Sequence, residues 1–201
     1  MNAARKPKKP KQVIVIAGPS GSGKNAVITE MLKRYRACVR LVTATTRRAR
    51  PGEIEGVDYH FFSQERFDAE LAAGAIPEHR FVPTLNTYYG VYLPELEKRV
   101  AEGKIVFAQV DIEGARLLEE RYNATTIFIM PESLEEFRGR LRQRNPEWTE
   151  KEFEARMKVT EHELRVHAPQ YDYRVVNADG RLAETVHEVI EIMLKEGYNL
   201  K

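Results

Sequence analysis

The chain has 201 residues, enough for one domain, or a core with inserted subdomains, that buries a substantial interior. Hydrophobic residues make up 42% and charged residues 31%, an ordinary globular balance, and a formal charge of +2 gives no footing for nucleic-acid binding. A single cysteine, Cys38, excludes an internal disulfide and fits a reducing cytosol, and no stretch reaches membrane-spanning length, so a cytoplasmic location is expected. Residues 1–11 carry Arg5, Lys6, Lys8, Lys9 and Lys11 among prolines. This segment reads as a solvated, disordered basic tail rather than a nucleic-acid arm, and it lacks the apolar run of a signal peptide.

Val13 to Ala17 is a short β-branched apolar run, the pattern of a buried strand. Gly18, Ser20, Gly21, Ser22, Gly23 and Lys24 follow in the phosphate-binding pattern G-x-x-x-x-G-K, and an amphipathic run extends from Ala26 to about Tyr35. Glycines let backbone N–H groups converge on an anion, the helix start adds partial positive charge, and Lys24 supplies a mobile cation for the outer phosphates. The pattern asks for Ser or Thr after the lysine to hold Mg²⁺; here Asn25 stands there, and its amide oxygen is the candidate metal ligand.

Cys38 to Val42 reads as a second strand, and Thr43 to Tyr59, rich in Thr, Arg, Gly and Glu, shows no helical period. A helix capped by Ser63 spans about 64–73 and ends at Gly74, with short extended pieces at 75–82 and 88–92. Pro94 opens a helix that Gly103 closes, Lys104 to Val110 is an apolar strand, and a helix covers about 113–121. Thr125 to Met130 is a further strand, stopped by Pro131. Capping boxes at Ser133 and Thr149 open two helices separated by Asn145-Pro146, Tyr173 to Asn177 is the last strand, and an apolar stripe from Leu182 to Met193 marks the final helix. Five core strands alternating with helices imply an α/β fold: a five-stranded parallel sheet flanked by helices, with ligands at the carboxyl ends of the strands.

The block Thr45-Thr46-Arg47-Arg48-Ala49-Arg50-Pro51-Gly52-Glu53, followed by Gly56-Val57-Asp58-Tyr59-His60-Phe61, resembles the guanylate kinases, as do Tyr88-Tyr89-Gly90, Asp111-Ile112-Glu113-Gly114-Ala115, Arg140 to Arg144 and Tyr171 to Asn177. The resemblance covers about residues 12–195. It implies a P-loop kinase with a core over 12–42, 93–136 and 158–201, a monophosphate-binding subdomain over 43–92, and a lid over 137–157. It also implies ATP-dependent phosphorylation of GMP, and of dGMP, to the diphosphate with Mg²⁺, in a monomer or homodimer.

The resemblance places Arg47, Arg50, Tyr59 and Tyr89 on the phosphate of GMP. Physically, arginines three apart in a loop reach one phosphate with paired donors. Guanine presents adjacent N1–H and N2–H donors that a carboxylate accepts together; Glu78 resembles the family's guanine-reading glutamate, and Thr43 stands where a serine usually helps. Asp111 is expected near the monophosphate and metal, with Gln109 a neutral substitute for a second acid. Arg144 and Arg156 are the first choices for stabilising the transferring group, with Arg140 and Arg142 in the same lid; spacings of two keep 140, 142 and 144 off one helix face. Asn177 falls on the adenine side by resemblance.

Three departures bear on activity and base choice: Asn25, Val91 in place of Ser or Thr, and a Glu78–Tyr89 segment about two residues longer than usual. With Gln109 they keep open a same-fold kinase with another acceptor. A silent guanylate-kinase-like binding module is the other alternative, opposed by Lys24, Arg47, Arg50 and Glu78 together. Two further patterns carry no chemistry on this reading. His162 and His167 are five apart, which on an α-helix points them about 140° from each other, and Asn123-Ala124-Thr125 is a sequon entering a buried strand.

Overall fold

Residues 10–201 are described by a computed structural model. Most of the basic segment expected as a tail, residues 1–9, lies outside the described residues. Lys11 belongs to the fold instead: its ammonium donates to the Glu196 carboxylate at 2.7 Å and to the Thr125 hydroxyl at 3.1 Å.

Five strands form one all-parallel sheet: β1 (Val13–Ala17), β2 (Cys38–Arg40), β7 (Ile105–Ala108), β8 (Thr125–Met130) and β9 (Tyr173–Val176), in the order β2-β7-β1-β8-β9. β1 is central and buried on both faces, which is why it reads as an unbroken apolar run rather than an alternating one. Its side chains alternate between two cores. Ile14 and Ile16 pack with Val27, Ile28 and Met31 of α1 (Lys24–Arg34) and with Val186, Val189 and Met193 of α7 (Leu182–Lys195). Val13 and Val15 face the other way, into Leu96 of α3 (Leu93–Ala101) and Ala115 and Leu118 of α4 (Ile112–Tyr122). β2 and β7 are each shorter than the apolar runs that announce them; Gln109 and Val110 after β7 turn to line the cleft, while Leu41 and Val42 after β2 stay buried.

A second sheet is built wholly within residues 44–90, in the order β4-β3-β6-β5, from β3 (Ala44–Thr45), β4 (His60–Phe61), β5 (His79–Val82) and β6 (Thr87–Gly90). It has its own small core of Ala44, Phe62, Phe67 and Ile76, the third from α2 (Gln64–Ala72), which Ser63 caps as expected. α5 (Leu134–Arg144) and α6 (Glu150–His162) form a further packed pair around Phe137, Leu141, Phe153 and Met157. α6 does not end in an ordinary α-turn. Residues Glu163–His167 continue it as a π-helical turn, closed by a short 3₁₀ turn at Ala168–Gln170. Among the described residues no helix is long and apolar enough to cross a membrane.

Candidate active site

The strand-turn-helix geometry explains each glycine that matters. Gly18 and Gly23 have φ of 135° and 97°, a region that disfavours side chains, and both also lack space. A Cβ on Gly18 would lie 2.3 Å from the Ile129 carbonyl oxygen, and one on Gly23 would lie 2.1 Å from the Asn177 amide nitrogen. The loop is thus pressed onto β8 and onto the turn after β9. Asn177, expected on the adenine side, is buried, and its amide is engaged at both ends. Nδ2 donates to the Ser22 carbonyl at 2.9 Å, and Oδ1 accepts from the Thr185 hydroxyl at 2.9 Å. In this form it braces the loop from beneath. Gly21 faces Phe137 and Leu141 of α5, while Ser20 is exposed; the Ser22 hydroxyl is buried without a partner among the described residues.

Lys24 opens α1 and folds back over the loop, donating to the Gly18 carbonyl at 2.6 Å and the Pro19 carbonyl at 2.8 Å. Burial brings its pKa down to about 8, with Glu163 pulling it up and Arg156 pushing it further down. The ammonium is therefore still protonated at neutral pH, yet held by weak neutral acceptors that an anionic phosphate readily replaces. Asn25 sits exposed on the same helical turn and is not part of the cavity wall.

A cavity of about 610 Å³ opens at the carboxyl ends of β1, β7 and β8, where the strand order reverses around β1. Gly18, Lys24, Thr43, Tyr59, Glu78, Tyr89, Gln109 and Asp111 all line it, so the donor loop and most of the expected acceptor residues share one space. Asp111 caps α4, accepting from the Gly114 amide at 3.1 Å. Gly114 lets α4 start close to the cavity wall, since a Cβ there would meet Val110 at 2.8 Å and Glu78 Oε2 at 3.1 Å. Burial first, then repulsion from Asp111 and Glu113, raises the Glu78 pKa to about 7, with Arg80 acting in the opposite sense.

Arg47 is a committed side chain. It forms a two-pronged pair with Glu53 at 2.8 Å on each prong, donates to the Arg48 carbonyl at 2.8 Å, and reaches the Tyr89 hydroxyl through Nε at 3.3 Å. Its guanidinium carbon lies 5.4 Å from the centre of the Tyr59 ring. Glu53 also accepts from the Arg50 amide at 2.7 Å, and these donors hold its pKa down at about 2. Arg50 itself is exposed, with no ion-pair partner among the described residues. The two arginines therefore differ: one is fixed by Glu53, the other is free to swing. In the sequence Glu53 is signalled only as a carboxylate six residues after Arg47, and its orienting role emerges from the pair it forms.

Of the expected lid arginines, Arg140, Arg142 and Arg144 fall on one helix, α5, which runs through Arg144 rather than ending before it, and Arg156 lies on α6. They diverge in use. Arg142 pairs with Glu150 at 2.7 Å and lies 3.8 Å over the Phe153 ring, which makes it part of the α5–α6 packing. Arg140 reaches Asp179 at 4.0 Å, while its Nε and Nη2 are buried without a partner among the described residues. Arg144 is exposed, and Arg156 is close enough to Lys24 to depress its pKa. Neither Arg144 nor Arg156 lines the cavity in this form.

One geometric expectation is overturned. His162 and His167 do not point apart: their ring centres are 5.2 Å from each other and both line the cavity. The α-helical angle does not apply because the intervening turn is π-helical, and five residues nearly close one π-turn. Among the described residues no three His, Cys, Asp or Glu side chains converge as metal ligands. Glu163, between them, also lines the cavity, and its Oε2 is buried without a partner.

The family model described as guanylate kinase matches residues 10–196. The chain is 39% identical over 171 residues to a guanylate kinase of Thermosynechococcus vestitus, covering 85% of this chain and 87% of that protein. It is 33% identical over 190 residues to one of Rhodopirellula baltica, covering 93% and 89%. The crystal structure of guanylate kinase from Anaplasma phagocytophilum superposes with a TM-score of 0.68 at 32% identity, covering 95% of this chain and 89% of that one. Sheet order, loop geometry and these likenesses agree, and the chain belongs to the guanylate kinase family.

Proposed function

We propose that this protein transfers the γ-phosphoryl group of ATP to GMP, and to dGMP, giving ADP and the guanosine diphosphate. The observation that carries the reading is the shared cavity: the Lys24 loop and the Glu78–Tyr59–Tyr89 wall face each other across one space at the switch point of the sheet. A phosphate oxygen of GMP is already anionic, so no general base is needed; it attacks the γ-phosphorus as the bond to the β-bridging oxygen breaks, and ADP leaves. The loop N–H groups and Lys24 hold the donor phosphates. Arg47, fixed by Glu53, and the swinging Arg50 clasp the acceptor phosphate with the Tyr59 and Tyr89 hydroxyls, while Glu78 and Thr43 read the base. Arg144 and Arg156, on the α5–α6 pair, serve as the lid cations that meet the transferring group when the cleft closes, with Arg140 beside them.

The residues present suit Mg²⁺ bound chiefly by phosphate oxygens and water, with Asp111 the carboxylate on the cavity wall and Asn25 on the adjoining helical turn. When bound, the ion neutralises charge on the bridged phosphates. Asn25→Ser, which restores the hydroxyl the loop pattern normally carries, is expected to raise kcat severalfold and to lower the Mg²⁺ concentration for half-maximal rate. Unchanged values in both would show that the position takes no part in holding the metal.

Glu53→Gln tests the orienting pair. Losing the charge-assisted fork frees Arg47, and the KM for GMP is expected to rise about tenfold with little change in the KM for ATP. An unchanged KM for GMP would leave Glu53 with a purely local role in shaping the loop. The function itself is tested by coupled ADP release with ATP and a panel of GMP, dGMP, AMP, CMP, UMP and sugar phosphates. GMP and dGMP are expected to dominate; preference for another acceptor, or no turnover with any, would refute the reading.

A further inference from the structure

We propose that Arg80 is a second base-reading residue, donating to the O6 and N7 acceptors of guanine while Glu78 accepts from its N1 and N2 donors; this rests on GMP being the acceptor. β5 alternates strictly. Glu78, Arg80 and Val82 line the cavity, whereas His79 and Phe81 turn away and stack on Tyr88. Two residues along a strand are about 7 Å apart, a span comparable to a purine from one edge to the other. The next rungs fix the order: Val91 is bonded to the Glu78 carbonyl through its amide at 3.2 Å, and Tyr89 stands opposite Arg80.

Arg80 is available for a ligand. It is exposed, has no hydrogen-bond or ion-pair partner among the described residues, and its guanidinium acts electrostatically on Glu78. Apart from Lys24 no other lysine or arginine lines the cavity. The site also needs such a donor. Val91, buried opposite Glu78, offers the base no side-chain hydrogen bond, and the uncharged donors on the cavity wall, Thr43 and Gln109 among them, carry no charged fork of N–H groups. Arginine is well matched to that edge, because its paired N–H groups meet O6 and N7 together.

The test compares GMP with 7-deaza-GMP, which lacks the N7 acceptor, as substrates for the native protein and for Arg80→Met, which keeps the aliphatic stem and loses the donors. For the native protein kcat/KM is expected to fall about tenfold on 7-deaza-GMP. For Arg80→Met the two substrates are expected to be equal, each below the native value for 7-deaza-GMP, because the variant loses the donor to O6 as well as the donor to N7. A native protein indifferent to the deaza change, or a deaza penalty that persists in Arg80→Met, would overturn the proposal. An equal loss on AMP, CMP and GMP in Arg80→Met would overturn it too, placing the arginine on the phosphate. Failure of the native protein to turn over GMP at all would instead strike the proposed function.

Discussion

Lys24→Met is expected to lower kcat for phosphoryl transfer about 10³-fold, the scale seen when one preorganised charge donor is taken from a transition state. The loss should appear with almost no change in Tm. Lys24 is the cation supplied by the loop itself, and among the other charged side chains on the cavity wall the carboxylates Glu78, Asp111 and Glu163 outnumber the one guanidinium, Arg80. Its two partners in the present form are the neutral carbonyls of half-buried Gly18, on the cavity wall, and of buried Pro19, which keeps the Ser22 amide as a donor once the ammonium is gone. Lys24→Arg should be nearly as damaging, because a planar guanidinium does not fit where a compact ammonium packs against two adjacent carbonyls. Steady-state ADP release beside a thermal melt separates the outcomes. Retention of more than about a tenth of the native rate by Lys24→Met would contradict the assignment of the donor loop.

Glu78→Gln is expected to reduce kcat/KM for GMP about 10²-fold, through two charge-assisted hydrogen bonds lost or weakened. It carries two signatures that a merely structural residue would lack. Reading guanine needs the carboxylate ionised, and its pKa in the free protein is about 7. The KM for GMP of the native protein should therefore rise as pH falls below 7, approaching about tenfold per pH unit. Glu78→Gln should lose that limb while keeping any dependence due to GMP's own phosphate.

Stability should move the other way. The folded pKa lies above the ordinary carboxylate value of 4.5, so the folded state holds this proton more tightly than the unfolded chain. The native protein's stability from this group is complete below pH 4.5 and is lost as pH rises through 7. At pH 8 and without ligand, Glu78→Gln should melt higher than the native protein, and the gap should close as pH falls toward 4.5. A carboxylate kept in an unfavourable place is what a base-reading role requires. A Glu78→Gln protein that melts lower at pH 8, with KM for GMP unchanged, would remove Glu78 from the site.

What could be seen in the sequence follows from how much each element depends on its own residues. β1 and the loop after it were legible because five consecutive β-branched or small apolar residues, fixed glycines and a lysine carry the whole instruction locally. The caps at Ser63, Ser133 and Thr149 were legible for the same reason: a side chain three residues from its amide is a local fact. β3 and β4 were not, since two-residue strands are too short to show a period and are defined by their neighbours, β6 pairing with β3 and β3 with β4. The π-turn at Glu163–His167 escaped because an α-helical period was imposed on it, and with it went the true proximity of His162 and His167. The bracing role of Asn177 was not legible either, because its amide partners Ser22 and Thr185 include one 155 residues away. The contacts of Arg142 with Phe153 and Glu150 depend on how α5 packs on α6, which no local pattern specifies.

A crystal structure with a bisubstrate analogue, adenosine and guanosine joined 5′ to 5′ through five phosphates, confronts the shared-cavity picture most directly. We expect Lys24 Nζ within hydrogen-bond distance of the phosphates nearer adenosine, about 2.8 Å, with Arg47, Arg50, Tyr59 and Tyr89 on the phosphate nearer guanosine and Glu78 against the guanine N1 and N2 donors. Guanosine bound away from Glu78, or a phosphate chain that bypasses Lys24 or the two arginines, would contradict it.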